Sequence, residues 1–395
     1  MPTKSVVNKP VPNESTADTN TQAKITGLIP VNDADIASRR ILRLALGTAL
    51  SLLFSQVVAW PMSFLAPVFT LVLLALPVPP PGLKGGAKFV TALVSPLLLG
   101  ALILLPFLEH LRPVGILLVA LALFYSFYFT TRGGAPIMGT FMTVGLTLVV
   151  TIGSVSIDMI FPLAEGLVLG ALFGLTFVWI AHALLPDLMV GPAAPAKAPA
   201  PSKPDLRVAR RRALRAMLIT FPMTLLFLFS SASTSYTAVM VKVASMGQQA
   251  SADSSREMGR SMLESTLWGG IGAIIAWQIL SIWPSLLMYT LLIGLAGLLF
   301  GPRIFQGAAM HPKFSMWSYA YLTMIIVLAP AVLDSQGGSA AGGAFYSRLF
   351  LFVVIAVYGS VAVAVFDAFW PSASGQDSPE PDSDQDTESS PEPGK

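Results

Sequence analysis

Arg39-Arg40-Ile41-Leu42-Arg43 opens a long apolar stretch, and 172 positions later Arg211-Arg212-Ala213-Leu214-Arg215 opens another. At the same offset, without a gap, Thr48 meets Thr220, Phe64 meets Tyr236, Ala66 meets Ala238, Lys88 meets Arg260 and Gly100 meets Gly272. The chain thus carries one plan twice. In a membrane protein, two related halves point to transport, with the working site between them.

Composition fixes the class. Of 395 residues 54% are apolar and only 11% charged, with a mean hydropathy of +0.70, more apolar surface than a soluble domain can hide. The formal charge of +3 lies in basic residues that flank apolar runs, so it reports topology and offers no patch for nucleic acid. With no cysteine there is neither a disulfide nor a thiolate metal site, and His110, His182 and His311 are too scattered to hold a metal. A phosphate-binding Gly-Lys-Ser/Thr loop, a Gly-x-Ser-x-Gly elbow and a His-Glu-x-x-His pair are all missing, so no enzymatic activity and no cofactor are expected. The polar first 38 residues lack the apolar core of a cleavable signal peptide, so the first membrane helix is expected to do the targeting.

Apolar runs of 17 to 25 residues cross a bilayer as helices, because only helices and closed barrels satisfy their backbone groups there. The expected fold is all-α and polytopic, with about twelve transmembrane helices in two parallel six-helix repeats. The runs lie near 41–60, 63–78, 89–108, 112–130, 135–155 and 160–185, then 213–231, 234–248, 261–281, 283–300, 314–332 and 344–370. The second run of each half is short and follows a turn signal, Trp60-Pro61 in one and Ser230 to Ser235 in the other. If the N-terminus is cytoplasmic, the inside loops carry Lys84, Lys88, Arg132, Arg256, Arg260, Arg303 and Lys313, against Arg112 alone outside. The basic linker stays inside only if each half has an even number of helices, which makes the repeats parallel. The domains read as a disordered N-terminus (1–38), a first repeat (39–187), a Pro/Ala linker (188–210), a second repeat (211–371) and an acidic disordered tail (372–395), both termini being cytoplasmic.

Arg39 to Leu50, Trp60-Pro61 and Phe64-Leu65-Ala66-Pro67 resemble the opening of the FUSC-like superfamily, the fusaric-acid-resistance and aromatic-acid-exporter proteins of bacterial inner membranes. Arg260 with Leu267-Trp268-Gly269-Gly270-Ile271-Gly272 resembles the same group's basic residue and glycine-rich helix. A compact branch of that group is the nearest in plan, since its exporters otherwise carry large cytoplasmic domains. The resemblance implies export of aromatic carboxylic acids, an inner-membrane location and work with a periplasmic membrane-fusion adaptor. A passive anion channel and a non-transporting component of an efflux assembly stay open beside a secondary exporter of small organic anions, and a homo-oligomer stays open too.

Ionisable residues inside membrane spans are the default functional candidates, since burying one costs about 2.5–3.5 kcal/mol at a helix centre. Lys242 is one: its ammonium either holds the carboxylate of a substrate or snorkels to the membrane face. Glu165 and Arg348 each begin the last helix of a half, as a coupling or gating pair across the repeat or as two interfacial groups; Glu165 is also a candidate for taking up protons. Ser233, Ser235 and Tyr236, with Trp60 and Phe64 at the matching place, are the substrate-facing candidates or else an ordinary turn with interfacial aromatic anchors. Gly166, Gly170 and Gly174 form a small-residue stripe for close helix packing.

Overall fold

The computed structural model describes residues 33–187, 205–229, 237–252, 256–307, 309–336 and 341–369. Among them are twelve helices: α1 (Asp33–Val58), α2 (Leu65–Leu74), α3 (Leu83–His110), α4 (Arg112–Thr131), α5 (Pro136–Gly153), α6 (Ile160–Leu184), α7 (Leu206–Phe229), α8 (Thr237–Ala252), α9 (Arg256–Ile282), α10 (Leu286–Phe300), α11 (Phe314–Gln336) and α12 (Ala341–Phe369). Ten of these are long and apolar enough to cross a bilayer, so the chain is an all-α polytopic membrane protein. Helix α1 starts at Asp33 and α7 at Leu206, ahead of the expected boundaries, because charged side chains suit the first turns of a helix outside the membrane. The rest of the expected N-terminal extension, most of the linker, the acidic tail and the Ser230 to Ser235 break lie outside the described residues.

The exceptions among the twelve expected spans are α2 and α8. Helix α2 has 10 residues, a rise of about 15 Å against a hydrocarbon core of about 30 Å. Pro77, Pro79, Pro80 and Pro81 prevent its continuation, while upstream the chain turns through Ala59 and Met62, both at φ 56°. Within this break Ser63 N–H donates to Trp60 O at 3.1 Å and Leu65 N–H to Met62 O at 2.9 Å. Irregular backbone at this depth survives only where protein covers it, and α6 supplies the cover. A Cβ at Gly166 would strike the Pro61 carbonyl; one at Gly170 would lie 2.9 Å from Leu65 Cβ, and one at Gly174 2.8 Å from Phe69 Cβ. The glycine stripe is therefore the groove in which the break and α2 are seated.

The irregular segment still completes a crossing. Arg43, near the start of α1, meets Asp187 after α6 at 2.7 Å, and Trp179 Nε1–H near the end of α6 donates to Pro81 O ahead of α3 at 2.8 Å. The starts of α1 and α3 and the end of α6 thus share one face, here the basic end, and the six segments of the half alternate in direction.

The second half repeats the plan. Arg215, the counterpart of Arg43, meets Asp367 near the end of α12 at 2.7 Å. These arginines, read from sequence only as an opening motif, pin the first helix of each half to its last. The Asp367 side chain is only 16% exposed. Both halves run in the same direction: a Cβ at Gly297 of α10 would lie 2.9 Å from Ala45 Cβ, and one at Gly301 3.0 Å from Ile41 Cγ1, which sets α10 antiparallel to α1. In the mirrored seam, Thr131 at the end of α4 donates to Ala209 O at the start of α7 at 3.1 Å. The copies differ in detail. Helix α3 contains a π turn over Gly100–Leu104, and a short hairpin, β1 (Phe305–Gln306) with β2 (Ala309–Met310), precedes α11.

Asp367→Asn should lower the melting temperature in detergent more than Asp187→Asn, because the Asp187 side chain is 58% exposed and water can replace it. Equal shifts would count against the staple at Arg215. Gly170→Ala should cost about 1–3 kcal/mol by overpacking α2, whereas Gly343→Ala, with open space at its Cβ, should leave the melting temperature unchanged.

Candidate functional site

Four helices meet between the halves, α2 and α5 from the first and their repeat counterparts α8 and α11 from the second. Helix α8 packs on α5, and α2 on α11. A cavity of about 200 Å³ lies among them. Toward the basic end it is lined by Leu76, Pro136, Ile137, Phe314 and Ser315. The walls are unlike. Helix α2 gives only apolar side chains, among them Leu65, Val68 and Phe69, and Phe141 of α5 continues that surface edge-on to Phe69, with ring centroids 4.9 Å apart. The lining also includes Ser245 of α8, Thr140 of α5 and Ser315, Ser318 and Tyr319 of α11; Ser245, Thr140 and Ser318 donate their hydroxyl hydrogens to carbonyls of their own helices.

Lys242 stands just behind this lining, between the lining residues Val241 and Ser245 on α8. It is 5% exposed. Its Nζ donates to Thr323 Oγ1 of α11 at 3.3 Å, next to the lining residue Leu322. The buried charged residues among those described are Arg43, Arg215, Arg348 and Lys242. The three arginines each meet an aspartate, whereas among the described residues no carboxylate pairs with Lys242. A buried charge is costly unless paired, so an anion drawn into the cavity would find a desolvated ammonium with one hydroxyl partner.

The same helix carries two buried glutamines below Lys242. Gln248 Nε2 donates to Thr143 Oγ1 of α5 at 2.7 Å and its Oε1 accepts from Thr130 of α4 at 3.2 Å, tying α8 to the opposite half. Thr143 is bonded in turn to Ser126 at 2.7 Å. Gln249, 4% exposed, shares a helix face with Lys242 and Ser245, and its Nε2 has no hydrogen-bond partner among the described residues. Polar side chains at helix interfaces in a membrane are costly, and here they cluster on α8, one of the two helices that fall short of a full span.

The other expected site residues fall elsewhere. Trp60 is buried within the first half, its ring stacked on Phe173 of α6 at 5.1 Å and tilted against Phe54 at 6.2 Å, and Phe64 is buried at the start of α2. Neither lines the central cavity. Arg348 meets Asp334 at 2.6 Å rather than Glu165, which is exposed on α6. The physical reason is proximity: Asp334 ends α11 where Arg348 begins the next helix, while Glu165 belongs to the other half. Ser233, Ser235 and Tyr236 lie outside the described residues. Phe69, Phe141, Ser245, Tyr319, Thr323 and the glutamines were not singled out from the sequence. The repeat itself held the signal for one of them, since the offset that places Lys242 opposite Thr70 places Val241 opposite Phe69.

Residues 40–181 match the model of a family described as a protein of unknown function, DUF2955. The matched stretch falls within the first six-helix half, from the opening arginines to the end of α6. No curated protein and no solved structure matches the chain.

Lys242→Gln should weaken binding of benzoate to the detergent-purified protein by roughly ten- to a hundredfold, the scale of one charge-assisted contact, as read by calorimetry. Thr323→Val should cost less. Undiminished affinity in a folded Lys242→Gln protein would remove the lysine from the site.

Proposed function

We propose that the protein is a secondary transporter that exports small organic anions bearing an apolar body, such as aromatic carboxylic acids, from the bacterial cytoplasm. The observation that carries this reading is the buried Lys242 ammonium, which meets no carboxylate among the described residues, beside a cavity whose lining joins Val68, Phe69 and Phe141 to Ser245, Ser318 and Tyr319. A carboxylate passing between Ser245 and Leu322 reaches Lys242 and Thr323, while a ring rests on Phe69, Phe141 and Val68. The anion supplies the charge partner that Lys242 lacks among the described residues, so binding selects for anions. Grouping of DUF2955 with the FUSC-like, aromatic-acid-exporter clan supports the substrate class.

In this reading the basic end faces the cytoplasm, which the bias of lysine and arginine in the loops supports, and the anion enters the cavity from that side. The far-end stretches of α5 and α11 close it from the other side: Leu146, Leu148, Val149 and Val150 of α5 and Ile325 to Ala329 of α11 are fully packed. Rocking of the halves about the α1–α10 and α4–α7 seams would alternate the exposure. Export of a monoanion from a cell negative inside is favoured by about 2.3 kcal/mol per 100 mV, so the membrane potential is a sufficient driving force. A periplasmic adaptor and a homo-oligomeric assembly are compatible with the exposed ends and faces, and neither is needed for the binding step.

Proteoliposomes loaded with radiolabelled benzoate test the proposal. Expected is saturable efflux that accelerates with an imposed potential and falls at least tenfold in Lys242→Gln. Efflux linear in concentration would identify a passive channel, and no efflux above protein-free vesicles would leave a role as a non-transporting component of an assembly.

A further inference from the structure

Arg112 is the exception in the distribution of loop lysines and arginines, since it lies at the end of the molecule away from the basic one. It begins α4, three residues after Glu109 in the last turn of α3. Helix α3 has 28 residues, a rise of about 42 Å against a hydrocarbon core of about 30 Å. Both charges therefore reach the headgroup layer of the leaflet opposite the basic end.

The two residues line one cavity of about 370 Å³, together with Ser154 after α5, with Leu105, Leu108 and Ile116, and with Leu228 of α7 from the other half. The cavity thus lies where the α4–α7 seam between the halves ends. Although Glu109 and Arg112 share it, they form no ion pair with each other, and neither has a bonded partner among the described residues. The Ser154 hydroxyl donates to Thr151 O at 3.0 Å, so its oxygen is left as an acceptor. The lining therefore asks for a ligand with a cation, an anion and an apolar body. A guanidinium suits a phosphate, while a carboxylate and a hydroxyl oxygen accept from a primary ammonium.

We propose that the cavity holds the headgroup of one phosphatidylethanolamine molecule of that leaflet, its phosphate on Arg112, its ammonium on Glu109 and Ser154, and its acyl chains leaving along Leu105, Leu108, Ile116 and Leu228. Phosphatidylcholine carries the same phosphate, but three methyl groups replace its N–H donors. Phosphatidylglycerol has no cation for Glu109. A lipid placed here touches both halves at once and adds a contact across their seam. The site is separate from the central cavity and does not depend on the reading of anion transport.

Mass spectrometry of the intact protein, released from vesicles of equal parts phosphatidylethanolamine, phosphatidylcholine and phosphatidylglycerol, tests the site. At a collision energy that strips annular lipid, phosphatidylethanolamine should stay bound in about two- to fivefold excess over either other lipid, the scale of one exposed charge-assisted contact. Glu109→Gln should erase the preference over phosphatidylcholine while a phospholipid stays bound, and Arg112→Gln should lose the lipid. Both positions are exposed, so both variants are expected to fold. As a second readout, adding phosphatidylethanolamine to protein in phosphatidylcholine should raise the melting temperature of wild type and leave that of Glu109→Gln unchanged. Equal retention of the three lipids, or a preference that survives both substitutions, would overturn the proposal. Phosphatidylglycerol retained ahead of phosphatidylethanolamine would overturn the zwitterionic headgroup. Displacement of the bound lipid by millimolar glycerophosphoethanolamine would overturn the lipid as occupant and assign the cavity to a soluble zwitterion.

Discussion

The buried ammonium of Lys242, which meets no carboxylate among the described residues, is the constraint around which the rest of this structure is arranged. The three buried arginines show how the chain ordinarily treats such a charge: Arg43, Arg215 and Arg348 each meet an aspartate at 2.6 to 2.7 Å. Lys242 is treated differently, with one threonine hydroxyl at 3.3 Å. Holding it there requires a helix whose other side chains are fixed, and Gln248 does so by bonding across to α4 and α5 of the opposite half. Charge, short helix and inter-half contact are thus one arrangement.

Duplication explains how the site became asymmetric. The two short helices are each the second of its half in chain order, and each packs on the fifth helix of the other half. In α2 the position matching Lys242 is Thr70, whose hydroxyl donates to Ala66 O at 2.9 Å and serves Ser51 and Gly174 nearby. That helix is consequently an apolar wall, while α8 is a polar one. A cavity between identical walls would bind a symmetric or wholly apolar ligand; between unlike walls it suits an amphipathic one.

Much of this was legible in the sequence. The offset of the Arg-Arg-x-Leu-Arg openings, the length of the apolar runs and the loop charges led to the parallel six-plus-six order seen in the helices, because each follows from bilayer thickness and backbone hydrogen bonding. Lys242 stood out for the same reason. What periodicity did not reveal was depth and pairing. Nothing local says that Trp60 turns into α6, or that Arg348 finds Asp334 across a helix connection, since both depend on how the helices pack. Proline after α2 marked a break, but the cover supplied by Gly166, Gly170 and Gly174 became visible only when the two segments were seen together.

The measurement that bears most directly on the site between the halves is the position of a halogenated anion. Crystals of the protein soaked with 4-bromobenzoate, with data collected at the bromine edge, should show the carboxylate against Lys242 and Thr323 and the bromine over the Phe69–Phe141 wall. Bromine density confined to the lipid-facing surface, with the central cavity empty at saturating ligand, would contradict the account.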